Sequence, residues 1–101
     1  MTAVAITGGA RGIGRATAEA CLRAGMSVVI GDVDAATCTR AAGEMGAVGL
    51  PLDVSDADSF EAFVADAERR VGQLDVLVNN AGIAPIGLFV DENPTETKRL
   101  I

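Results

Sequence analysis

A chain of 101 residues, half of them apolar, has room for one domain with a buried core. Its net charge of -6, with eight Lys and Arg spread from Arg11 to Arg99, leaves no basic stripe and argues against a nucleic-acid partner. Cys21 and Cys38 lack Cys-x-x-Cys spacing, there is no His, and no apolar run approaches the ~18 residues of a membrane span, so no metal set, targeting leader or membrane partner is expected and the expectation is a cytoplasmic chain with reduced thiols.

Ala3 to Thr7 is an apolar run containing Val and Ile that ends in Gly8-Gly9, which predicts a buried strand. Ile13, Ala16, Ala20 and Ala24 then recur at helical spacing, and the pattern stops at Gly25, a residue suited to the left-handed position after a helix. Ser27 to Asp32, centred on Val28-Val29-Ile30, predicts a second buried strand. A weaker helical pattern runs from about Asp34 to Ala42 and ends near Gly43. Ala47 to Val54 predicts a third strand, interrupted at Pro51, which cannot donate to a central ladder.

Phe60, Phe63, Val64, Ala67 and Val71 mark one face of a helix, with Ser55 as its expected cap and Gly72 after it. Leu74 to Asn79 predicts a fourth strand. A loop with Gly82, Pro85 and Gly87 leads to Asn93-Pro94-x-Glu96, which announces a further helix in which the sequence stops. Strand and helix alternate, with connections of crossover length. The expected class is therefore α/β, a Rossmann-type doubly wound parallel sheet of about four strands with helices on both faces, and incomplete.

Between the first strand and its helix lies Thr7-Gly8-Gly9-Ala10-Arg11-Gly12-Ile13-Gly14. A glycine-rich turn there leaves backbone N–H groups at the positive end of a helix and lets the backbone approach closely, which suits a pyrophosphate; the alternative is a structural turn that needs glycine for positive φ. Asp32 closes the second strand 18 residues after Gly14, near the roughly 20-residue offset at which an acidic side chain meets the adenine ribose. Its alternative role is to cap the next helix, for which Asp34 is better placed. A 2′-phosphate within ~4 Å of this carboxylate would meet a repulsion of up to about 4 kcal/mol per charge at an effective dielectric near 20, so NAD is expected over NADP.

The ordered set Thr7-Gly8-x-x-x-Gly12-Ile13-Gly14, Asp32, Asp53-Val54 and Asn79-Asn80-Ala81-Gly82 resembles that of the classical short-chain dehydrogenase/reductase family over almost the whole chain. The resemblance implies that Gly8, Gly12, Ile13 and Gly14 line the pyrophosphate turn with Arg11 beside it, and that Asp32 meets the ribose. It implies that Asp53 and Val54 border the adenine, that Asn80, Ala81 and Gly82 approach the nicotinamide-side ribose, and that Asn79 is structural. For Asp53, a turn role before the next helix is an equal alternative. A basic residue before the second motif glycine can accompany NADP use in this family, so Arg11 and Asp32 pull in opposite directions, with the direct ribose contact weighing more.

Family members also use a Ser, a helper Asn and Tyr-x-x-x-Lys to move the proton while hydride passes to or from nicotinamide. This sequence contains no Tyr, its one Lys is Lys98 in the last predicted helix, and Ser27, Ser55 and Ser59 fall in early elements. No catalytic residue is assigned. Residues 1–101 are expected to be the N-terminal, cofactor-binding part of a single NAD(P)-binding domain, inactive alone, within an oxidoreductase acting on an alcohol or ketone and forming a homo-oligomer by family resemblance. A standalone, non-catalytic nucleotide-binding module is the alternative, and a Rossmann-like methyltransferase is disfavoured by the glycine spacing and the Asn79 to Gly82 segment.

Overall fold

The computed structural model describes residues 2–80, so the expectations for Ala81, Gly82, the loop beyond them and the helix at Asn93-Pro94 fall outside the described residues. Among the described residues seven elements alternate: β1 (Ala3–Thr7), α1 (Gly12–Arg23), β2 (Ser27–Asp32), α2 (Ala35–Met45), β3 (Val48–Pro51), α3 (Ala57–Val71) and β4 (Val76–Asn79). All strand pairs are parallel, in the order β3-β2-β1-β4. The chain winds outward from β1 to β3 and then crosses back through α3 to place β4 on the other side of β1. In such sheets the strand order reverses at this point, and a crevice opens at the carboxyl ends of the strands beside it.

The sheet is covered on both faces because its strands are apolar on both faces. Ala3, Ala5, Val29 and Leu77 pack with Phe60, Phe63 and Ala67 of α3 on one side, while Val4, Ile6, Val28 and Ile30 pack with Ala18 of α1 and Cys38, Ala41 and Ala42 of α2 on the other. Phe60 and Phe63, both fully buried, meet edge to face with ring centroids 6.5 Å apart. Each contributes about 1.5–3 kcal/mol by leaving water, which makes α3 the main clamp of its face. Asp75 closes the amino end of the sheet, its Oδ2 accepting the Ala3 N–H at 2.8 Å.

Four boundaries differ from expectation, each for a local reason. The helix expected to end near Gly43 continues through it to Met45, and Gly46, at φ 87°, supplies the left-handed stop. β3 ends at Pro51 rather than Val54; it lies at one edge of the described sheet, where a residue without an N–H is tolerated. The cap of α3 is Asp56, whose carboxylate accepts from the N–H groups of Asp58 and Ser59, while Ser55 is occupied with Asp53. β4 begins at Val76, because Leu74 and Asp75 are held in the preceding turn by Glu68 and by the Ala3 carbonyl.

Candidate functional site

β1, β2, β3 and β4 end at the same rim, and there a groove of about 520 Å³ opens. Gly8, Arg11, Gly12 and Ile13 form one wall, Gly31, Asp32 and Val33 the floor, Leu52, Asp53 and Val54 the far end, and Asn80 the near end. Eight of the residues singled out in the sequence thus share one groove. Ala81 and Gly82 lie outside the described residues.

The β1–α1 turn is shaped by its backbone. Gly8 and Gly12 sit at φ 66° and 61°, and a Cβ on Gly12 would meet no atom within 4 Å, so what restricts this position is conformation and open space. Arg11, extended at φ -156°, is the N-cap but makes no side-chain cap bond. The first helical bond is Arg15 N–H to the Arg11 carbonyl, which leaves the amides of Gly12, Ile13 and Gly14 in the unpaired first turn of α1. Ile13 is 77% exposed over the groove. Amides at a helix amino terminus, open space above a glycine and an exposed apolar side chain together fit an elongated ligand with an anionic centre.

Gly14 behaves differently from its neighbours. It does not line the groove; a Cβ there would collide with the Gly8 carbonyl oxygen and stand 2.6 Å from Asn80 Nδ2. This glycine lets α1 lie against the end of β1, a packing requirement that stands beside its expected place along the pyrophosphate.

Asp32 is 9% exposed at the end of β2, the one buried carboxylate among the described residues. Its backbone carbonyl accepts from Leu52 N–H at 3.0 Å, and the Gly31 carbonyl accepts from Gly8 N–H at 2.7 Å, so the strand end is tied to both neighbours. Its Oδ1 accepts the Asp34 N–H at 3.3 Å, and Oδ2 makes no hydrogen bond among the described residues. The helix-capping role belongs to Asp34, whose carboxylate accepts from Thr37 N–H at 3.1 Å and Thr37 Oγ–H at 2.7 Å. Asp32 is thereby left facing the groove as an acceptor.

Asp53 and Val54 line the far end, but the Asp53 side chain is engaged locally. Its Oδ1 accepts from the Ser55 hydroxyl at 2.5 Å and the Ser55 N–H at 3.0 Å, and these bonds hold its carboxyl below the ordinary range. The turn role therefore has the direct geometric support, and it extends to the backbone, whose N–H donates to Ser59 Oγ at 3.0 Å and whose carbonyl accepts the Asp56 N–H at 3.1 Å.

Thr7 stands in the sequence motif but had no role of its own assigned to it. Fully buried, it donates its hydroxyl proton to Asn79 Oδ1 at 3.0 Å and accepts the Asn80 N–H at 2.9 Å, joining the end of β1 to the end of β4. Asn80 Nδ2 in turn reaches the Gly8 carbonyl at 3.5 Å. Gly31 and Val33 were also unmarked. A Cβ on Gly31 would stand 2.6 Å from Phe63, and a glycine inside a strand is the available signal of such close approach. Val33 is 73% exposed beside the groove, and one exposed valine carries no pattern of its own. Cys38, under the β2 end, donates weakly to the Ile30 and Leu50 carbonyls, and burial raises its thiol above the ordinary value. Among the described residues no helix is long and apolar enough to cross a membrane, and no group of three or more His, Cys, Asp or Glu could hold a metal ion.

A family model described as short chain dehydrogenase matches residues 2–101. A probable oxidoreductase, EphD, of Mycobacterium tuberculosis is 42% identical over 99% of this chain, which spans 18% of that protein. The L-rhamnose 1-dehydrogenase (NAD(P)(+)) of Azotobacter vinelandii is 45% identical over 87% of this chain, which spans 38% of it. Among solved structures, a 3-ketoacyl-(acyl-carrier-protein) reductase from Brucella melitensis complexed with NADH superposes with a TM-score of 0.78 at 39% identity, over 81% of this chain and 35% of that one.

Proposed function

This chain belongs to the short-chain dehydrogenase family, whose members use a nicotinamide cofactor, and we propose that it is the NAD-binding part of an oxidoreductase acting on an alcohol or ketone. The observation that carries the proposal is the single groove in which the first-turn amides of α1, the buried Asp32 carboxylate and Asn80 face one another. The amides of Gly12 and Ile13 hold the pyrophosphate with Arg11 beside it. Asp32 accepts from the adenine ribose hydroxyls, and Val33 and Val54 flank the adenine. Asn80, with the adjoining Ala81 and Gly82, takes the nicotinamide-side ribose. When bound, the nicotinamide ring supplies the hydride acceptor or donor.

The NAD preference follows from charge. Among the described residues no cation hydrogen-bonds the Asp32 carboxylate, so a 2′-phosphate would meet its charge directly. Arg11 lines the same groove and its charge also reaches Asp34 beside the β2 end, so it opposes this preference, and the direct ribose contact of Asp32 outweighs it. Proton transfer needs a Tyr that residues 1–101 do not contain, so catalysis is assigned to the whole protein and not to this segment. The test has two arms. NADH is titrated into the full-length protein by its own emission, against no Trp or Tyr background from these residues; the coding sequence after Ile101 is read for a helper Asn and Tyr-x-x-x-Lys. Binding with that continuation, and alcohol-dependent reduction of NAD, is the expected result. Binding without the continuation favours a non-catalytic nucleotide-binding module, and no binding sinks both readings.

A further inference from the structure

We propose that the Asp34–Thr37 cap at the start of α2 is a positioning device for the Asp32 carboxylate, and so sets how well a free 2′-hydroxyl is discriminated from a 2′-phosphate. The inference rests on the reading of Asp32 as the ribose acceptor. The Asp32 backbone is fixed by the sheet: it is in register with Pro51, and its carbonyl accepts from Leu52 N–H at 3.0 Å. Its side chain is not. The single hydrogen bond to that carboxylate among the described residues is the Asp34 N–H to Oδ1, at 3.3 Å.

The direction of that N–H depends on how the chain turns from β2 into α2. Val33, the residue between, is 73% exposed and gives the turn no packing anchor. The anchor is the cap. Asp34 accepts two hydrogen bonds from Thr37, at 3.1 Å from the amide and 2.7 Å from the hydroxyl, and its carbonyl accepts Cys38 N–H at 2.9 Å to start the helix. The Thr37 bonds, with smaller contributions from the charges of Arg11 and Arg40, hold the Asp34 carboxyl below its ordinary range, so the cap is ionised at neutral pH. With Oδ1 tethered to the capped turn, Oδ2 is the oxygen presented to a ribose hydroxyl. Without the cap the tether swings with Val33, and the carboxylate loses its orientation.

The experiment titrates NADH and NADPH, followed by their own emission, into the full-length protein carrying Asp34→Ala or Asp34→Asn, each with and without Asp32→Ala. Thermal unfolding of every variant reports the folded fraction. Asp34→Ala is expected to weaken NADH binding by about three- to tenfold without weakening NADPH, and Asp34→Asn, which keeps an acceptor for Thr37, to restore NADH binding to within about twofold. In the Asp32→Ala background, Asp34→Ala should have no further effect on NADH, because the group it positions is gone. Equal losses for both cofactors, an Asn variant as weak as the Ala variant, or an undiminished effect without Asp32 would each overturn the proposal. The underlying reading fails separately, if Asp32→Ala alone leaves NADH affinity unchanged.

Discussion

Asp32→Ala is the substitution that separates a ribose acceptor from a buried structural carboxylate. Hydrogen bonds to a charged group are each worth about 1.5–3 kcal/mol, so losing even one ribose hydroxyl contact lowers NAD affinity by about ten- to a hundredfold. For NADP the sign reverses. At ~4–5 Å and an effective dielectric near 20, one phosphate charge against Asp32 costs about 3–4 kcal/mol, and salt in the open groove reduces this, so relief of about 1–2 kcal/mol and a five- to thirtyfold gain are expected. The NAD:NADP affinity ratio should therefore narrow by at least about fiftyfold. Parallel calorimetric titrations of both cofactors into wild type and variant measure it. Asp32 is 9% exposed, and its backbone bonds do not involve the side chain, so the variant is expected to retain the sheet. Equal wild-type affinities, or an unchanged ratio in the variant, would refute the assignment.

Gly14→Val should weaken NADH binding by more than about tenfold while helix content by circular dichroism persists, because the new side chain meets the Gly8 carbonyl and Asn80 at the groove rim; loss of the fold with no separable binding defect would make the turn purely structural. Thr7→Val, nearly isosteric, removes the hydroxyl between Asn79 and Asn80 and should cost about 1–3 kcal/mol in urea unfolding, with Thr7→Ser restoring most of it; an unchanged midpoint would mean that the hydroxyl does not join the two strand ends. Both Asp34 and Asp53 are held below the ordinary carboxylate range by hydrogen bonds, so their stabilising effect is present above the unfolded value of about 3.9 and disappears as pH falls through the lower folded values. The unfolding-midpoint gap between wild type and Asp34→Asn should accordingly close below about pH 4, and a gap that widens there would contradict the assignment of the cap.

The strands and the phasing of the helices were legible because burial on both faces leaves a local mark. β1 and β2 are continuous apolar runs, and α3 carries Phe60, Phe63 and Ala67 on its buried side. The ends were less legible because several residues compete for each. Gly43 and Gly46 are both glycines near the end of α2, and the backbone takes its left-handed turn at the second, after Met45, which lies beyond Gly43 and still packs against the same core cluster. Ser55 and Asp56 are adjacent capping types, and the choice is made by Asp53, which engages Ser55 and leaves Asp56 to take the α3 amides. Neither competition has a solution in spacing alone.

The site was legible in its residue types and less so in its division of labour, and the reason is that one motif serves two faces of the same turn. Gly12 and Gly14 are two positions apart in a single glycine signature, yet the first faces open space over the groove and the second presses against Gly8 from inside. Asp32 and Asp34 divide in the same way: the first is buried at the strand end with its carboxylate toward the groove, and the second has its carboxylate occupied by Thr37. What decides the first case is the space around each Cβ position, and what decides the second is which carboxylate the helix start engages. Thr7 shows the point most directly, since its place in the motif records a buried hydroxyl that binds Asn79 and Asn80 rather than a group that meets a ligand. A groove that must hold a flexible dinucleotide in one conformation needs its own strand ends fixed first, and the Thr7 and Asp34 hydrogen bonds fix β1 to β4 and β2 to α2 at its two ends.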